Sequence, residues 1–220
     1  DRSAGTVIRY NWIEGGNRQL DLVESDHGEL VDDPSYDETF VYGNVLVEPE
    51  GAGNSQIVHY GGDGGDEAMY RAGTLHLYHN TVVSTRDGNT TLVRLSTNDA
   101  AADVRDNVLY AAAGGERLAI CTGTGQVTLA DNWLPAGWRE THEATMSGGE
   151  VTDAGNVEGA SPGFTDGDGQ DYSLAAGSPC VDAAGPLAAG APAVSCGYVL
   201  HQGAADRADD GAPDIGAFER

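Results

Sequence analysis

The chain has 220 residues, and its 35 acidic side chains outnumber its 11 basic ones, all of them Arg, to give a net charge of −24. This charge argues against nucleic acid and anionic membranes as partners, because both would repel the protein. No apolar run approaches the roughly 18 residues of a membrane span, so membrane insertion is not expected, and the length suits one domain.

The composition also predicts the fold class. The chain contains 32 Gly residues and short runs of Val, Leu, Ile and Thr, without an amphipathic stretch of helical length. This pattern predicts an all-β chain with many turns. Strong acidity is typical of surfaces that face a salty or extracellular medium, and we expect a secreted or cell-surface protein.

The start of the chain is abrupt. It begins at Asp1 without Met, which predicts a processed or cut end. Val7 then enters a full repeat, with only six residues before it to cover the end of a repetitive structure. Since a solenoid needs both ends covered, we predict that a preceding chain segment or another copy covers this one.

An apolar-x-x-Asn-apolar-apolar pattern recurs five times, with its asparagines 33, 36, 27 and 25 residues apart. Such spacing is typical of β-solenoid coils whose loops vary in length. At a tight bend, asparagine tolerates left-handed backbone geometry and can hydrogen-bond its equivalent in the next coil. We therefore predict a structural ladder formed by Asn11, Asn44, Asn80, Asn107 and Asn132.

A second set of short, β-branched runs lies between the asparagine segments. These runs begin at Leu20, Gln56, Thr91 and Arg117. They predict a second wall, in which parallel stacking places equivalent residues about 4.8 Å apart. The sequence thus predicts a parallel β-solenoid of about five coils over residues 1–158.

Aligning the second set of runs by apolar residues places Glu24, His59 and Arg94 in one column. An acid, an imidazole and a guanidinium at this spacing can perform general acid–base catalysis on a sugar, with Arg stabilising negative charge. These three are the candidate catalytic residues. The alternative is a solvated ladder of charges without a catalytic role.

Two long loops, residues 26–38 and 61–72, leave one wall of the predicted solenoid. Excursions from one side of a rigid scaffold commonly build a binding groove. Aromatic and polar side chains in or beside these loops are therefore the candidate substrate contacts: Asp26, His27, Tyr60, Asp63 and Tyr70.

An oxygen-rich run near the C-terminus suggests a metal site. Asp166, Asp168 and Asp171 have the spacing of a calcium loop, without the Glu that closes an EF-hand. The two interpretations are a Ca²⁺ site formed by these three acids and a plain turn.

The three cysteines divide into two kinds. Cys180 and Cys196 lie 16 residues apart in a Gly- and Ala-rich segment, and we predict a disulfide between them. It would stabilise the fold by about 3 kcal/mol and would suit a secreted protein. Cys121 lies in an apolar run, where we expect it to fill core volume.

The last sixty residues, 159–220, contain short apolar turns separated by Gly, Pro and Asp. These turns are too short to form a core, so we predict an irregular cap over the open end of the solenoid. They comprise Ser161–Phe164, Asp171–Leu174, Ser178–Asp182 and Asp214–Glu219. This ending resembles that of secreted right-handed parallel β-helix proteins of the pectate-lyase-like superfamily.

The resemblance implies a right-handed parallel β-helix and an extracellular polysaccharide as partner, because many relatives act on pectin, alginate or similar polymers. It leaves open a lyase, a glycoside hydrolase using paired carboxylates such as Glu24, Asp26 and Asp63, and binding without cleavage. The competing hypothesis is a non-catalytic structural or adhesive module that assembles with another chain or copy.

Overall fold

The structure, a computed structural model, describes residues 2–208 and 211–220, which contain twenty β-strands and four short 3₁₀ helices. Asp1, the predicted processed end, lies outside the described residues. In chain order the strands are β1 (Val7–Arg9), β2 (Trp12–Glu14), β3 (Leu20–Leu22), β4 (Glu38–Tyr42), β5 (Val45–Glu48), β6 (Gln56–Tyr60), β7 (Thr74–Tyr78), β8 (Thr81–Ser84), β9 (Thr90–Leu95), β10 (Ala101–Arg105), β11 (Val108–Ala111), β12 (Leu118–Cys121), β13 (Gln126–Ala130), β14 (Trp133–Pro135), β15 (Glu150–Ala154), β16 (Val157–Gly159), β17 (Phe164–Asp166), β18 (Asp171–Leu174), β19 (Cys196–Val199) and β20 (Gly203–Asp206). The 3₁₀ helices lie in the connections, at Gly28–Leu30, Pro34–Tyr36, Glu67–Met69 and Gly115–Arg117.

Sixteen of these strands form three parallel sheets. The first sheet has the order β1-β4-β7-β10-β13-β15, the second β2-β5-β8-β11-β14-β16, and the third β3-β6-β9-β12. From β1 to β12 the chain visits the three sheets in turn and returns to the first one strand further along, and from β13 to β16 it alternates between the first two sheets. The all-β prediction is therefore confirmed, with parallel sheets of 6, 6 and 4 strands stacked as in a β-solenoid.

The asparagine ladder is confirmed, and it runs between the first and second sheets. Asn80 illustrates it: its side-chain amide donates to Asn107 Oδ1 at 3.0 Å, and its own Oδ1 accepts from the side chain of Asn44 at 2.9 Å. The same bond links each predicted member to the next, from Asn11 to Asn132. The ladder then continues one position further, to Asn156, which the sequence analysis missed.

The tight bend of each repeat is made by the residue before the asparagine. These residues have φ between +47° and +70°, and they are Tyr10, Gly43, His79, Asp106, Asp131 and Gly155. The prediction that the asparagines themselves adopt left-handed geometry is therefore wrong. The reason is a hydrogen bond from the amide of each of the five predicted asparagines to the carbonyl two residues earlier, as from Asn80 to Tyr78 at 3.0 Å, which folds the chain at the residue between.

Stacked apolar side chains fill the interior. Equivalent positions of successive first-sheet strands place Val41, Leu77, Val104 and Leu129 in one column, and all four are fully buried. Cys121 belongs to the same core, as predicted for a residue that fills volume. Because each layer repeats the one before it, side chains of similar shape stack without gaps.

Residues 159–220, named here the C-terminal strap, do not lie where the sequence analysis placed them. In its described residues, 159–208 and 211–220, the strap runs along the side of the solenoid, and several of its apolar side chains pack on the outer surface of the second sheet. Tyr172 stacks on Trp12 in the first repeat, with ring centroids 5.5 Å apart, while Leu174 and Ile215 pack on Trp133 in the fifth. The predicted end cap is thus a lateral cover.

The strap is needed there because the outward positions of the second sheet are apolar. Val45, Val47 and Val83 are each at most 1% exposed beneath Tyr172 and Ala217. An uncovered β-face of this kind would present a large apolar patch to water. The first repeat, by contrast, keeps an exposed edge, where Val7 is 48% exposed.

The predicted Cys180–Cys196 disulfide is not formed, and all three cysteines are free. Cys180 is fully buried among Leu174, Ile215 and neighbouring apolar side chains, and burial raises the pKa of its thiol to about 12. Cys196 instead lies in the hairpin of β19 and β20, paired with Asp206. Packing separates the two side chains into different parts of the strap.

Candidate functional site

The third sheet brings two of the three predicted catalytic residues together. Its register pairs His59 with Arg94 on one side and with Asp21 on the other. Glu24 does not belong to this column, because β3 ends at Leu22 and Glu24 lies in the connection that follows. The acid in the column is therefore Asp21.

His59 lies at the centre of a hydrogen-bonded cluster, and its side chain is fully buried. Its Nδ1 atom is 3.0 Å from Asp21 Oδ1, and its Nε2 atom is 2.9 Å from Ser96 Oγ. Arg18 closes the outer side: its guanidinium donates to Asp21 Oδ1 at 3.0 Å and to Gln56 Oε1 at 2.9 Å. The imidazole is held in one orientation between a carboxylate and a hydroxyl.

The charges in this cluster differ from their ordinary state. Burial, together with the positive charge of Arg94, lowers the pKa of His59, so its ring is neutral at neutral pH. Burial also acts to raise the pKa of Asp21, but the bonds from His59 and Arg18 outweigh it and lower that pKa. A neutral imidazole beside an ionised acid can donate from Nδ1 and accept a proton at Nε2.

Ser96 is partly exposed, and a close approach of two strands sets its position. Its Oγ atom lies 2.7 Å from the carbonyl of Gly62 and accepts the Gly62 N–H at 2.9 Å. Gly61, at φ +125°, allows this approach, since a Cβ atom there would lie 2.6 Å from Ser96 Cβ. Glycine is thus required for the hydroxyl to reach His59.

Arg94 is the available cation of the site. Its side chain is partly exposed, and within residues 2–208 and 211–220 it forms no hydrogen bond or ion pair. Arg18, by comparison, is held by Asp21 and Gln56. Arg94 can therefore donate its planar set of N–H groups to a ligand.

Glu24 lies outside the predicted column, and its side chain holds the glycine-rich loop. It is 6% exposed, and its two carboxylate oxygens accept the backbone N–H groups of Asp63 and Gly64. Each oxygen is therefore occupied in anchoring the glycine-rich loop. An acid held in this way is poorly placed to take a proton from a sugar.

The predicted substrate contacts fall into three groups. Asp26 and His27 are exposed, and their side chains contact Arg2 at 2.9 Å and Glu29 at 3.4 Å. Asp26 lines an open pocket of about 440 Å³ beside the glycine-rich loop. That pocket is acidic, and its lining also includes Glu24, Asp66 and Met69.

Asp63 and Tyr70 belong to the glycine-rich loop. Asp63 is exposed, and the Tyr70 hydroxyl accepts the N–H of Gly65 at 3.0 Å. Tyr60 was predicted to touch substrate, but it is fully buried, and burial raises the pKa of its hydroxyl. Its register with Leu22, a buried position, explains why it points into the core.

The predicted calcium loop is the turn of the β17–β18 hairpin. Asp166 accepts the N–H of Gly169 at 3.0 Å, and Asp171 accepts the N–H of Ser173 at 3.2 Å. In the described part of the chain, no three His, Cys, Asp or Glu side chains come close enough together to hold a metal ion. Asp166, Asp168 and Asp171 therefore provide no ligand set, and the plain turn is the better interpretation.

Sequence reasoning missed Arg18, Asp21 and Ser96. Asp21 stands between Leu20 and Leu22, so strict alternation along the strand marks it as the outward residue. Ser96 follows Arg94 by two positions and lies on the same face. Counting alternation from buried leucines would have found both residues.

Comparisons with family models, with curated proteins and with solved structures each returned no match. Of the helices described, none is long and apolar enough to cross a membrane. The fold itself defines the class: an all-β protein built from stacked parallel strands, with a polar cluster on the outside of its third sheet.

Proposed function

We propose that this protein binds an extracellular polysaccharide on the outer face of the third sheet. The observation that carries the proposal is the unpaired, partly exposed guanidinium of Arg94, set beside the rigid cluster of Asp21, His59 and Ser96. Planar N–H donors and oriented hydroxyl and carboxylate groups are the features that sugar hydroxyls and carbonyls bond to.

The charge of the protein narrows the polymer class. A net charge of −24 and the acidic pocket around Asp26 and Asp66 repel a densely anionic chain. A neutral polysaccharide, or one whose acids are esterified, avoids this repulsion while still offering carbonyl and hydroxyl oxygens to Arg94. We infer a polymer of that kind as the ligand.

The proposal also includes the handedness, superfamily and location that the resemblance of the C-terminal ending implies. We infer right-handed winding, because parallel crossovers within one sheet are right-handed in almost all proteins. We also propose that the protein belongs to the pectate-lyase-like superfamily and is located outside the cell or on its surface. A hydrolase with paired carboxylates receives no support from Glu24, whose oxygens anchor a loop.

The test is binding to a panel of neutral, esterified and acidic polysaccharides, measured by affinity electrophoresis and calorimetry. Arg94→Ala should weaken binding by about tenfold, the loss typical of a charged hydrogen bond. Arg117→Ala makes the same charge change at an exposed residue whose guanidinium donates to Asn89, and it should bind normally.

Two outcomes would overturn the proposal: no polymer bound by the unaltered protein, or equal losses in the two Arg variants. Measuring new reducing ends and the absorbance of unsaturated uronic ends in the same samples separates hydrolase, lyase and simple binding.

One observation favours the competing function, an assembling structural module. In the described part of the chain, strands β1, β2 and β3 are the edge strands at one end of the three sheets, and Val7 on β1 is exposed. Unpaired parallel edges template further strands. Light scattering should then show association that increases with concentration and is lost in Val7→Lys, whereas a monomer at every concentration would contradict it.

A further inference from the structure

We propose that Asp21, His59 and Ser96 form a nucleophilic relay with which the protein hydrolyses acyl esters carried by its polysaccharide. This inference rests on the proposed function for the identity of the polymer, but not for the chemistry. The two contacts, 2.9 Å from Ser96 Oγ to Nε2 and 3.0 Å from Nδ1 to Asp21, both lie within hydrogen-bond reach. A hydroxyl, a base and an orienting acid in this sequence activate a serine.

The protons can be placed on named atoms. Ionised Asp21 favours the His59 tautomer with hydrogen on Nδ1, which leaves the lone pair of Nε2 facing Ser96. Arg18 then bonds Asp21 at 3.0 Å and only contacts the ring, 3.3 Å from Nδ1. The carbonyl of Gly62, 2.7 Å from Ser96 Oγ, is the competing acceptor for the hydroxyl proton.

The reaction balances without a cofactor. Ser96 Oγ attacks the ester carbonyl carbon while its proton passes to His59 Nε2. The carbon–oxygen bond to the sugar then breaks, and the sugar oxygen takes that proton from His59. Water attacks the acyl-serine, gives a proton to His59, and the acid leaves as Ser96 recovers the proton.

Two groups are placed to assist this chemistry. Arg94 lies near the end of β9, two residues before Ser96, which directly follows the strand, and its unpaired guanidinium can stabilise the negative oxygen that forms on the attacked carbonyl. The partial exposure of Ser96 gives a substrate access, while the full burial of His59 keeps water from its nitrogens. A small, uncharged acyl group such as acetyl fits a surface of this charge.

The test uses the full chain with p-nitrophenyl acetate as substrate and a fluorophosphonate as covalent probe. We expect turnover, with the probe attached to the peptide that contains Ser96. Ser96→Ala should lose both signals. Ser173→Ala, at a partly exposed serine of the β17–β18 hairpin, should keep both.

Asp21 acts through His59, so it is a positioning residue and needs a separate measurement. Asp21→Asn should lower turnover by at least about a hundredfold, because the ring loses its preferred tautomer. In the unaltered protein the rate should increase as His59 loses its proton and level off below pH 6.5, because burial lowers the pKa of His59. In Asp21→Asn this profile should move to still lower pH.

A purely structural cluster gives a different result: an unlabelled Ser96 and equal residual hydrolysis in the unaltered protein and Ser96→Ala. Either finding overturns the relay. Because the probes contain no sugar, failure of polysaccharide binding leaves this test unaffected, and the two proposals fail independently.

Discussion

The side chain of Asn80 makes five hydrogen bonds, two of them to Asn44 and the others to Asn107 and two backbone carbonyls. Asn80→Ala removes all five bonds and leaves buried groups without these partners, among them the backbone N–H of Asn44. We expect the free energy of unfolding to fall by about 3 kcal/mol or more, measured by urea denaturation, since each orphaned group costs roughly 1–3 kcal/mol.

Asn11→Ala provides the matched control. Asn11 is exposed at the first rung, and its side-chain amide donates to Arg9 and Asn44. Its loss should cost less than half as much. Equal losses at the two positions would show that the ladder does not depend on burial.

His79 and Asp106 are buried neighbours whose titrations oppose each other. His79 Nε2 lies 3.9 Å from Asp106 Oδ2, beneath the strap, and Arg207 lies 3.4 Å from the other ring nitrogen. Burial lowers the pKa of His79 from 6.5 to about 3 and raises the pKa of Asp106 from 3.8 to about 7. Folding therefore changes proton binding at both sites in the same pH range.

The signs follow from linkage. Between pH about 3 and 6.5 the unfolded state binds the extra proton of His79, so stability increases with pH. Between about 3.8 and 7 the folded state binds the extra proton of Asp106, so stability decreases with pH. In the unaltered protein the two contributions largely cancel from about pH 4 to 6.5.

Asp106→Asn should expose the His79 contribution alone. Asn tolerates the φ of +55° at this position. We expect the variant to gain stability from about pH 4 to 6.5, where the unaltered protein stays nearly constant, and to be the more stable protein above pH 7. Urea unfolding at several pH values measures the free energy of unfolding of both proteins. If this free energy depends on pH in the same way in the two proteins, the prediction is wrong.

At the scale of elements, the strap depends on close contact at Gly216. This glycine has φ +105°, and a Cβ atom there would lie 2.9 Å from Val108 Cγ2 and 3.0 Å from Thr81 Oγ1. Gly216→Ala should therefore push the strap away from the second sheet, at a cost of about 1–3 kcal/mol beyond backbone strain.

Gly190→Ala separates packing from strain. Gly190 also has positive φ, +87°, but a Cβ atom there meets nothing within 4 Å. Denaturation followed by tryptophan fluorescence should place Gly216→Ala well below Gly190→Ala in stability. If the two variants match, backbone strain alone accounts for the loss.

Some of these elements could be predicted from the sequence, and others could not. The ladder was predictable because buried asparagine at a repeated spacing has few other uses. The position of the strap was not, because outward Val45 and Val47 have the same pattern as core residues. Similarly, His59 and Arg94 were placed correctly, whereas Glu24 was not, since apolar alignment does not fix where β3 ends.

At the scale of the whole molecule, self-repulsion opposes folding. The net charge is −24, and the isoelectric point is about 4.2. We expect the Tm at pH 7 to increase between low salt and about 0.5 M NaCl, because the screening length falls from about 30 Å at 0.01 M to a few Å. Near pH 4.2 the same salt should have little effect, and a similar increase there would exclude charge as the cause.

The strap constrains how the repeats beneath it can change in evolution. It meets the solenoid at set heights: Tyr172 at Trp12, Asp214 at His79, and Gly185 at Asp106. Solenoids commonly grow by duplicating a repeat. Here a duplication would shift the later repeats by about 4.8 Å against these contacts. Gain or loss of a repeat between these contacts therefore requires a matching change in the strap.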